Sequence, residues 1–127
     1  GFLYDSNAYN DDIPFTVPGP NGPHVVLPYA FDTNDMRFFN RGGFVFAEDF
    51  SRYCIAAFDR LLDESAHAPR MLSIGLHLRI IGRPARISGL EQVLDHVLNH
   101  PDVWIARRDQ IAHAWRAGLD LPVWNTR

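Results

Sequence analysis

A histidine in the second half of the chain is the first candidate for chemistry. His77 lies in the run SIGLHLRIIGRP, close to the end of a predicted strand. An imidazole in that place can act as a general acid or base, because it gains and loses a proton readily near neutral pH. The alternative is a structural histidine that bonds a backbone carbonyl at the sheet edge. The other five histidines are expected to be surface or capping residues.

A polar cluster near the start of the chain, DSNAYNDD, is a second candidate. Asp5, Tyr9, Asn10 and Asp11 offer paired hydrogen-bond donors and acceptors, which could position a substrate that resembles an amide. Turn formation explains the same composition, because Asn and Asp favour turns for backbone reasons. Both interpretations stay open at this point.

Two further groups combine charge with hydrogen-bonding capacity. Asn34, Asp35 and Arg37 in DTNDMRF, and Arg79 with Arg83 after the candidate histidine, could hold a ureido or carboxylate group. Internal ion pairs would use the same residue types. The sequence therefore predicts these residues as substrate-binding candidates without deciding between the two roles.

Several familiar metal and cofactor motifs are absent from the sequence. The sequence has no HExxH, no paired cysteines, no glycine-rich phosphate loop and no GxSxG elbow. We therefore expect neither a metal nor another cofactor. Cys54 is the only cysteine, so an internal disulfide is excluded, and its place on the apolar face of a predicted helix indicates a buried structural thiol.

Hydrophobic periodicity indicates which elements would carry these side chains. Short apolar runs predict four strands, at residues 2–5, 24–28, 71–78 and 103–106. Amphipathic spacing predicts three helices, at residues 46–62, 90–98 and 108–117. Residues 7–23, with four Pro and two Gly, and residues 29–43 are predicted as long loops.

Strands that alternate with helices predict an α/β fold with a parallel sheet. Ligands of such folds bind beyond the carboxyl ends of the strands, so Asp5, Asp32 and His77 should face one rim. The elements are too few to close an eight-unit barrel. Either the sheet is open or the missing strands come from elsewhere.

Bulk composition excludes several classes of protein. The chain has 127 residues, enough for one domain, and 46% of them are hydrophobic, as in ordinary folded proteins. The net charge is -3 without a basic run, so neither nucleic acid nor an anionic membrane surface is expected as a partner. No signal peptide or spanning segment is evident, which predicts a soluble, cytoplasmic protein.

Several of these runs occur together in one known family. GFLYDSNAYNDDIPF, LPYAFDTNDMRF, the 46–62 helix, SIGLHLRIIGRPAR and VWIARRDQIAHAW, in this order, resemble the C-terminal half of the polysaccharide deacetylase superfamily. YDSNAYNDD and GLHLRIIGRP resemble its allantoinase-like branch, which acts in urate breakdown. The resemblance implies a deformed, incomplete (β/α) barrel, with residues 1–127 as the C-terminal part of a single catalytic domain.

The resemblance also implies an activity. Members of that branch hydrolyse a carbon-nitrogen bond of a cyclic amide, opening allantoin to allantoate, and are thought to need no metal. The superfamily's late leucine-x-histidine supplies the proton donor; Gly75-Leu76-His77 stands in that place, with leucine one position later than in the pattern. The segment around Asp5 matches a motif that orients the catalytic groups. The alternatives are a metal-dependent deacetylase of polysaccharides or N-acetylated sugars, and a binding module without catalysis.

Two early motifs of the superfamily, an Asp-Asp that contributes the base and a metal-binding His-x-x-x-His, belong upstream of Gly1. The chain opens abruptly on an apolar run, as though it were cut. We therefore expect the N-terminal fragment of the same protein to be a partner that completes the barrel and supplies the base. We also expect a small ureide or cyclic amide as the substrate, and we expect the protein to form a homo-oligomer.

Overall fold

The computed structural model describes residues 2–119. Its strands are β1 (Tyr4–Asp5), β2 (Phe15–Gly19) and β3 (Gly22–Val26). A 3-10 helix (Asp35–Phe39) precedes four α-helices, α1 (Ala47–Ser65), α2 (Leu78–Ile81), α3 (Ile87–Leu98) and α4 (Arg108–Gly118). The chain divides into two compact units: the first contains the residues up to Tyr29 and from Ile105 onward, and the second contains Ala30–Trp104.

The sheet of the first unit has the strand order β1-β3-β2. β1 runs parallel to β3, with Tyr4 opposite Val25, and β2 runs antiparallel to β3. The architecture is therefore mixed α/β, and the prediction of a purely parallel sheet is wrong. The predicted strands 2–5 and 24–28 are each confirmed in part, by β1 and β3.

The prediction of a long loop over residues 7–23 is also wrong, because β2 and β3 form a hairpin there. Its prolines stand where a sheet tolerates them. Pro18 lies on the edge strand β2, opposite Pro23 and next to the turn, so neither position interrupts the centre of the ladder. Gly22, which closes the two-residue connection, has φ of 111°, a conformation that favours glycine.

Two predicted strands, 71–78 and 103–106, do not form ladders. Within the part of the chain that the structure describes, residues 71–78 make one isolated parallel bridge, between Gly75 and Asn34, and α2 then begins at Leu78. Residues 103–106 belong to no strand. Both runs have the residue types of strands, but a strand exists only where a neighbouring strand accepts its backbone hydrogen bonds.

All three predicted helices are confirmed by α1, α3 and α4. The start of α1 is fixed by Asp49, whose carboxylate accepts the backbone N–H groups of Phe46 (2.8 Å) and Val45 (2.9 Å). These bonds satisfy donors that have no partner within the helix, and they lower the pKa of Asp49. The local sequence thus sets where the longest helix begins.

The hydrophobic core of the second unit joins α1, α2 and α3. Its buried members are Phe44, Phe50, Cys54, Ile81 and Val93. Cys54 is fully buried, as predicted, and the loss of hydration raises the pKa of its thiol to about 12. This packing fixes α2, and with it the N-cap residue His77, against the two longer helices.

Close approach of α1 and α3 depends on Gly89. A Cβ added there would lie 2.4 Å from the carbonyl oxygen of Ala47 on α1. We expect Gly89→Ala to lower the free energy of unfolding by about 1–2 kcal/mol, because overpacking against backbone outweighs the gain in helix propensity. Thermal denaturation measures this, with Gly118→Ala as the control, since nothing lies within 4 Å of the added Cβ there. Equal stability of Gly89→Ala and the unaltered protein would contradict this account of the helix contact.

Among residues 2–119, no helix is both long and apolar enough to cross a bilayer.

Candidate functional site

A buried carboxylate and a half-exposed imidazole form the candidate site of the second unit. Asp35 is fully buried, and its Oδ1 lies 2.6 Å from Nδ1 of His77. Its Oδ2 accepts the backbone N–H of the same histidine at 2.6 Å and that of Ile81 at 3.3 Å. One carboxylate therefore holds both the ring and the backbone of His77.

The backbone around Asp35 is tied to the segment that leads to His77. The N–H of Asp35 donates to the carbonyl of Gly75 at 3.0 Å, and the N–H of Gly75 donates to the carbonyl of Thr33 at 3.1 Å. The hydroxyl of Thr33 donates to the carbonyl of Ser73 at 2.6 Å. These bonds link residues about forty positions apart in the chain, so the distance from carboxylate to imidazole does not depend on a flexible loop.

His77 is the N-cap residue of the short helix α2. Its backbone is extended (φ −125°, ψ 122°), and its carbonyl accepts the N–H groups of Ile80 at 2.8 Å and Ile81 at 3.0 Å. Both isoleucines are buried. The apolar side chains of α2 thus anchor the backbone from which the imidazole projects.

The ring of His77 can exchange a proton through one nitrogen only. Asp35 accepts at Nδ1, which favours the tautomer with the proton on Nδ1, and Nε2 has no hydrogen-bond partner among residues 2–119. The side chain is 30% exposed, which leaves Nε2 accessible to a ligand. This arrangement suits a general acid or base whose orientation is set by a buried carboxylate.

The structure buries Asn34 and Asp35, two of the residues predicted to bind substrate. Both are buried, at 3% and 0% exposure, and Asn34 caps the 3-10 helix by accepting the N–H of Met36 at 2.9 Å. Arg37 places its guanidinium 4.5 Å from the ring centroids of both Phe44 and Tyr53. These side chains are engaged inside the protein, so they position other groups and offer little surface to a ligand.

Arg79 and Arg83 are exposed. Across residues 2–119, neither guanidinium makes a hydrogen bond or an ion pair. Arg79 follows His77 by two residues, within α2. Both remain candidates for holding a ligand.

The predicted residues of the first unit lie on and after β1. Asp5 pairs with His24 (Oδ2 to Nε2, 3.1 Å) and accepts the N–H of Asn7 at 3.1 Å. Tyr9 is exposed and meets the ring of Tyr29 edge-on at 6.2 Å. Two more predicted residues, Asn10 and Asp11, are exposed. That these residues share one rim with His77 stays a prediction.

One cluster of potential metal ligands was not predicted from the sequence. Asp59, His96 and His100 bring their ligand atoms within 4.8 Å of one another, the one such group of three among the described residues. The spacing His96-x-x-x-His100 was a signal for it, because residues four apart share a helix face. Nothing in the sequence pointed to Asp59, which comes from a different helix.

The chain is similar in sequence and structure to several known proteins. No family model matches it. A Schizosaccharomyces pombe protein that bears the name polysaccharide deacetylase is 40% identical over 124 residues, 90% of this chain and 39% of that protein. A crystal structure from Pseudomonas aeruginosa PAO1 with the same name is 51% identical, with a TM-score of 0.88, over 92% of this chain and 40% of that one. The crystal structure of PuuE allantoinase has the same identity and TM-score, over 92% of this chain and 39% of that one.

The chain thus spans about two fifths of the length of these relatives. The identity and the structural agreement with the two crystal structures extend over 92% of this chain. On this evidence the chain matches a fragment of polysaccharide deacetylase family proteins.

Proposed function

We propose that this chain supplies the proton donor of a hydrolase that cleaves a non-peptide carbon-nitrogen bond, with a cyclic ureide such as allantoin as its substrate. The observation that carries the proposal is the buried Asp35 carboxylate, 2.6 Å from Nδ1 of a half-exposed His77 whose Nε2 has no hydrogen-bond partner within residues 2–119. The similarity to PuuE allantoinase supports the choice of substrate class.

In the proposed reaction, water adds to the carbonyl carbon of the cyclic amide and gives up a proton to a base. The carbon-nitrogen bond then breaks, its electron pair goes to nitrogen, and that nitrogen takes the Nε2 proton of the imidazolium form of His77, which leaves a neutral ring with its proton on Nδ1 beside Asp35. Amide nitrogen is a poor leaving group without such protonation, so a positioned acid lowers the barrier to the bond-breaking step. Asp35 stabilises the imidazolium and holds the ring in orientation.

Binding of the ureide is assigned, as part of the proposal, to the exposed polar residues. Arg79 and Arg83 can donate paired hydrogen bonds to ureido carbonyl oxygens. Asp5, Tyr9, Asn10 and Asp11 of the first unit carry donors and acceptors of the kind that an amide-like substrate needs.

We further propose that these residues form the C-terminal part of a deformed (β/α) barrel, completed by an N-terminal part that contributes the base. Apolar side chains of the second unit support this. Phe39, Phe46 and Leu78 are 64%, 68% and 93% exposed. Large apolar side chains that are this exposed are typical of a surface that another part of the protein covers. Burial against further barrel strands would remove that surface from water, and assembly of the complete protein as a homo-oligomer would cover more.

A metal-dependent deacetylase of N-acetylated sugars is the second candidate, favoured by the names of the S. pombe and P. aeruginosa relatives. His77 and Asp35 do not fit a metal centre by themselves, since the one group of three metal-ligating side chains in residues 2–119 contains neither. In that candidate His77 would keep its role as acid, and the rest of the protein would hold the ion.

Paired assays of the complete protein separate the candidates. We expect ring opening of allantoin, followed by release of allantoate, and no acetate release from N-acetylglucosamine oligomers. The turnover should persist in a chelator, because the proposed chemistry needs an acid and a base only. Acetate release that a chelator abolishes would contradict the proposal in favour of the deacetylase, and turnover of neither substrate would favour a binding module.

A further inference from the structure

The structure brings together two imidazoles and a carboxylate that take no part in the proposed reaction. His96 lies in the last turn of α3, His100 follows the end of that helix, and Asp59 lies on α1. All three belong to the second unit, and neither Asp35 nor His77 is part of the group. We propose that these three side chains bind a divalent first-row transition metal such as zinc.

The two histidines are held on the same side of the chain. Their separation of four residues is one helical turn, and the N–H of His100 donates to the carbonyl of Val97 at 3.1 Å, which continues the turn beyond α3. The ring centroids lie 5.3 Å apart. Phe58 packs against both rings, at 5.6 Å and 5.2 Å between centroids. The imidazoles are thus oriented before a metal arrives, which reduces the entropy lost on binding.

The spacing of the donor atoms suits a tetrahedral ion. Bonds of about 2.0–2.1 Å to zinc place neighbouring donors about 3.3 Å apart. Asp59 Oδ1 and His96 Nε2 lie 2.6 Å apart, and all three donors lie within 4.8 Å of one another. Small rotations of side chains that are partly exposed at the surface, 51% for Asp59 and 32% for His96, bring all three onto one ion.

Chemistry and electrostatics favour the same occupant. Two imidazole nitrogens and one carboxylate oxygen form a donor set that prefers zinc, nickel or copper over magnesium or calcium. The last carbonyls of α3 also present the negative end of the helix to a cation beside His96. Three protein ligands leave the fourth position of the ion to water.

A bound ion would join α1 to the end of α3. The unfolded chain does not keep Asp59 close to the two histidines, which lie more than thirty residues away, so the metal binds the folded state and stabilises it. Zinc should therefore raise the melting temperature as well as bind with a defined stoichiometry.

The test uses the complete protein, freed of metal by a chelator and dialysed, and titrated with zinc chloride in a calorimeter. We expect the unaltered protein to bind one more zinc ion per chain than the double variant His96→Gln/His100→Gln. Each single histidine variant should bind that ion at least about tenfold more weakly, because it removes one of three ligands. The exposed His67 is the matched control: His67→Gln should bind like the unaltered protein.

Equal zinc stoichiometry and affinity in the unaltered protein and the double variant would overturn the proposal. So would an equal loss of binding in His67→Gln, which would indicate nonspecific binding to histidines. Melting in chelator shows whether each variant folds. Should the double variant unfold, Asp59→Asn gives the same test, since it keeps the shape of the side chain and removes its charge; undiminished zinc binding there would equally overturn the site.

Discussion

Replacing His77 with alanine is expected to lower kcat for allantoin by about 10²–10⁴-fold, the usual contribution of a positioned general acid. KM should change little, because Nε2 acts on the leaving nitrogen in the transition state and contributes little to binding the ground state. The geometry supports this expectation. Oδ1 of Asp35 lies within hydrogen-bonding distance of Nδ1, at 2.6 Å, and no residue among 2–119 makes a hydrogen bond to Nε2.

Loss of fold must be separated from loss of chemistry. His77→Ala leaves one oxygen of the buried Asp35 without its ring partner, which costs about 1–3 kcal/mol of stability. Circular dichroism and thermal melting determine whether the variant is folded at the assay temperature. His113→Ala is the control, because His113 is exposed on α4 and has no part in the proposed site. Activity of a folded His77→Ala protein within a few-fold of the unaltered enzyme would refute the role of the acid.

Asp35→Asn is expected to lower kcat by a similar factor, about 10²–10⁴-fold, for a different reason. The backbone N–H groups of His77 and Ile81 require an acceptor, so the amide oxygen should take the place of Oδ2. The amide NH₂ would then face Nδ1, which must become an acceptor, and the ring proton moves to Nε2. The imidazolium form loses its negative partner and is no longer stabilised.

Asp35→Asn should remain folded, and comparison with Asp35→Ala makes the positioning role visible. The alanine variant leaves the N–H of His77 buried without an acceptor, at a cost of about 1–3 kcal/mol. The N–H of Ile81 would still have an acceptor, because it also donates to the carbonyl of His77 at 3.0 Å. A purely structural role predicts activity loss that follows stability, with alanine worse than asparagine. A positioning role predicts a large loss of kcat in the more stable asparagine variant, measured by steady-state kinetics beside melting curves.

The helices were predictable because each buries one stripe of apolar residues, and that periodicity is local. The pairing of strands into a sheet was much less predictable. In residues 71–78 and 103–106 the residue types of a strand are present, but a strand also needs a partner from elsewhere in the chain. The β2–β3 hairpin was missed because its prolines indicated a loop, and only the pairing shows that Pro18 stands on an edge strand.

The candidate site also contains residues that were predictable from the sequence and residues that were not. His77 was recognisable from its place at the end of an apolar run and from the family resemblance. The role of Asp35 was not, because its partner lies 42 residues away and its burial depends on tertiary packing. From the sequence, Asp35 was predicted as a substrate ligand, whereas in the structure its buried carboxylate bonds the ring and the backbone of His77. Asp59 joins His96 for a related reason, since only the packing of α1 on α3 brings them together.

The position of the ring proton on His77 tests the central claim most directly. Long-range ¹H–¹⁵N correlation spectra of the complete protein, with His77→Gln used to assign the signal, distinguish the two neutral tautomers by their nitrogen shifts. We expect Nδ1 to carry a proton directed at Asp35 in both charge states of the ring, so that Nε2 is bare whenever the ring is neutral. In Asp35→Asn the neutral ring should carry its proton on Nε2 instead. A neutral ring that carries its proton on Nε2 in the unaltered protein would contradict it.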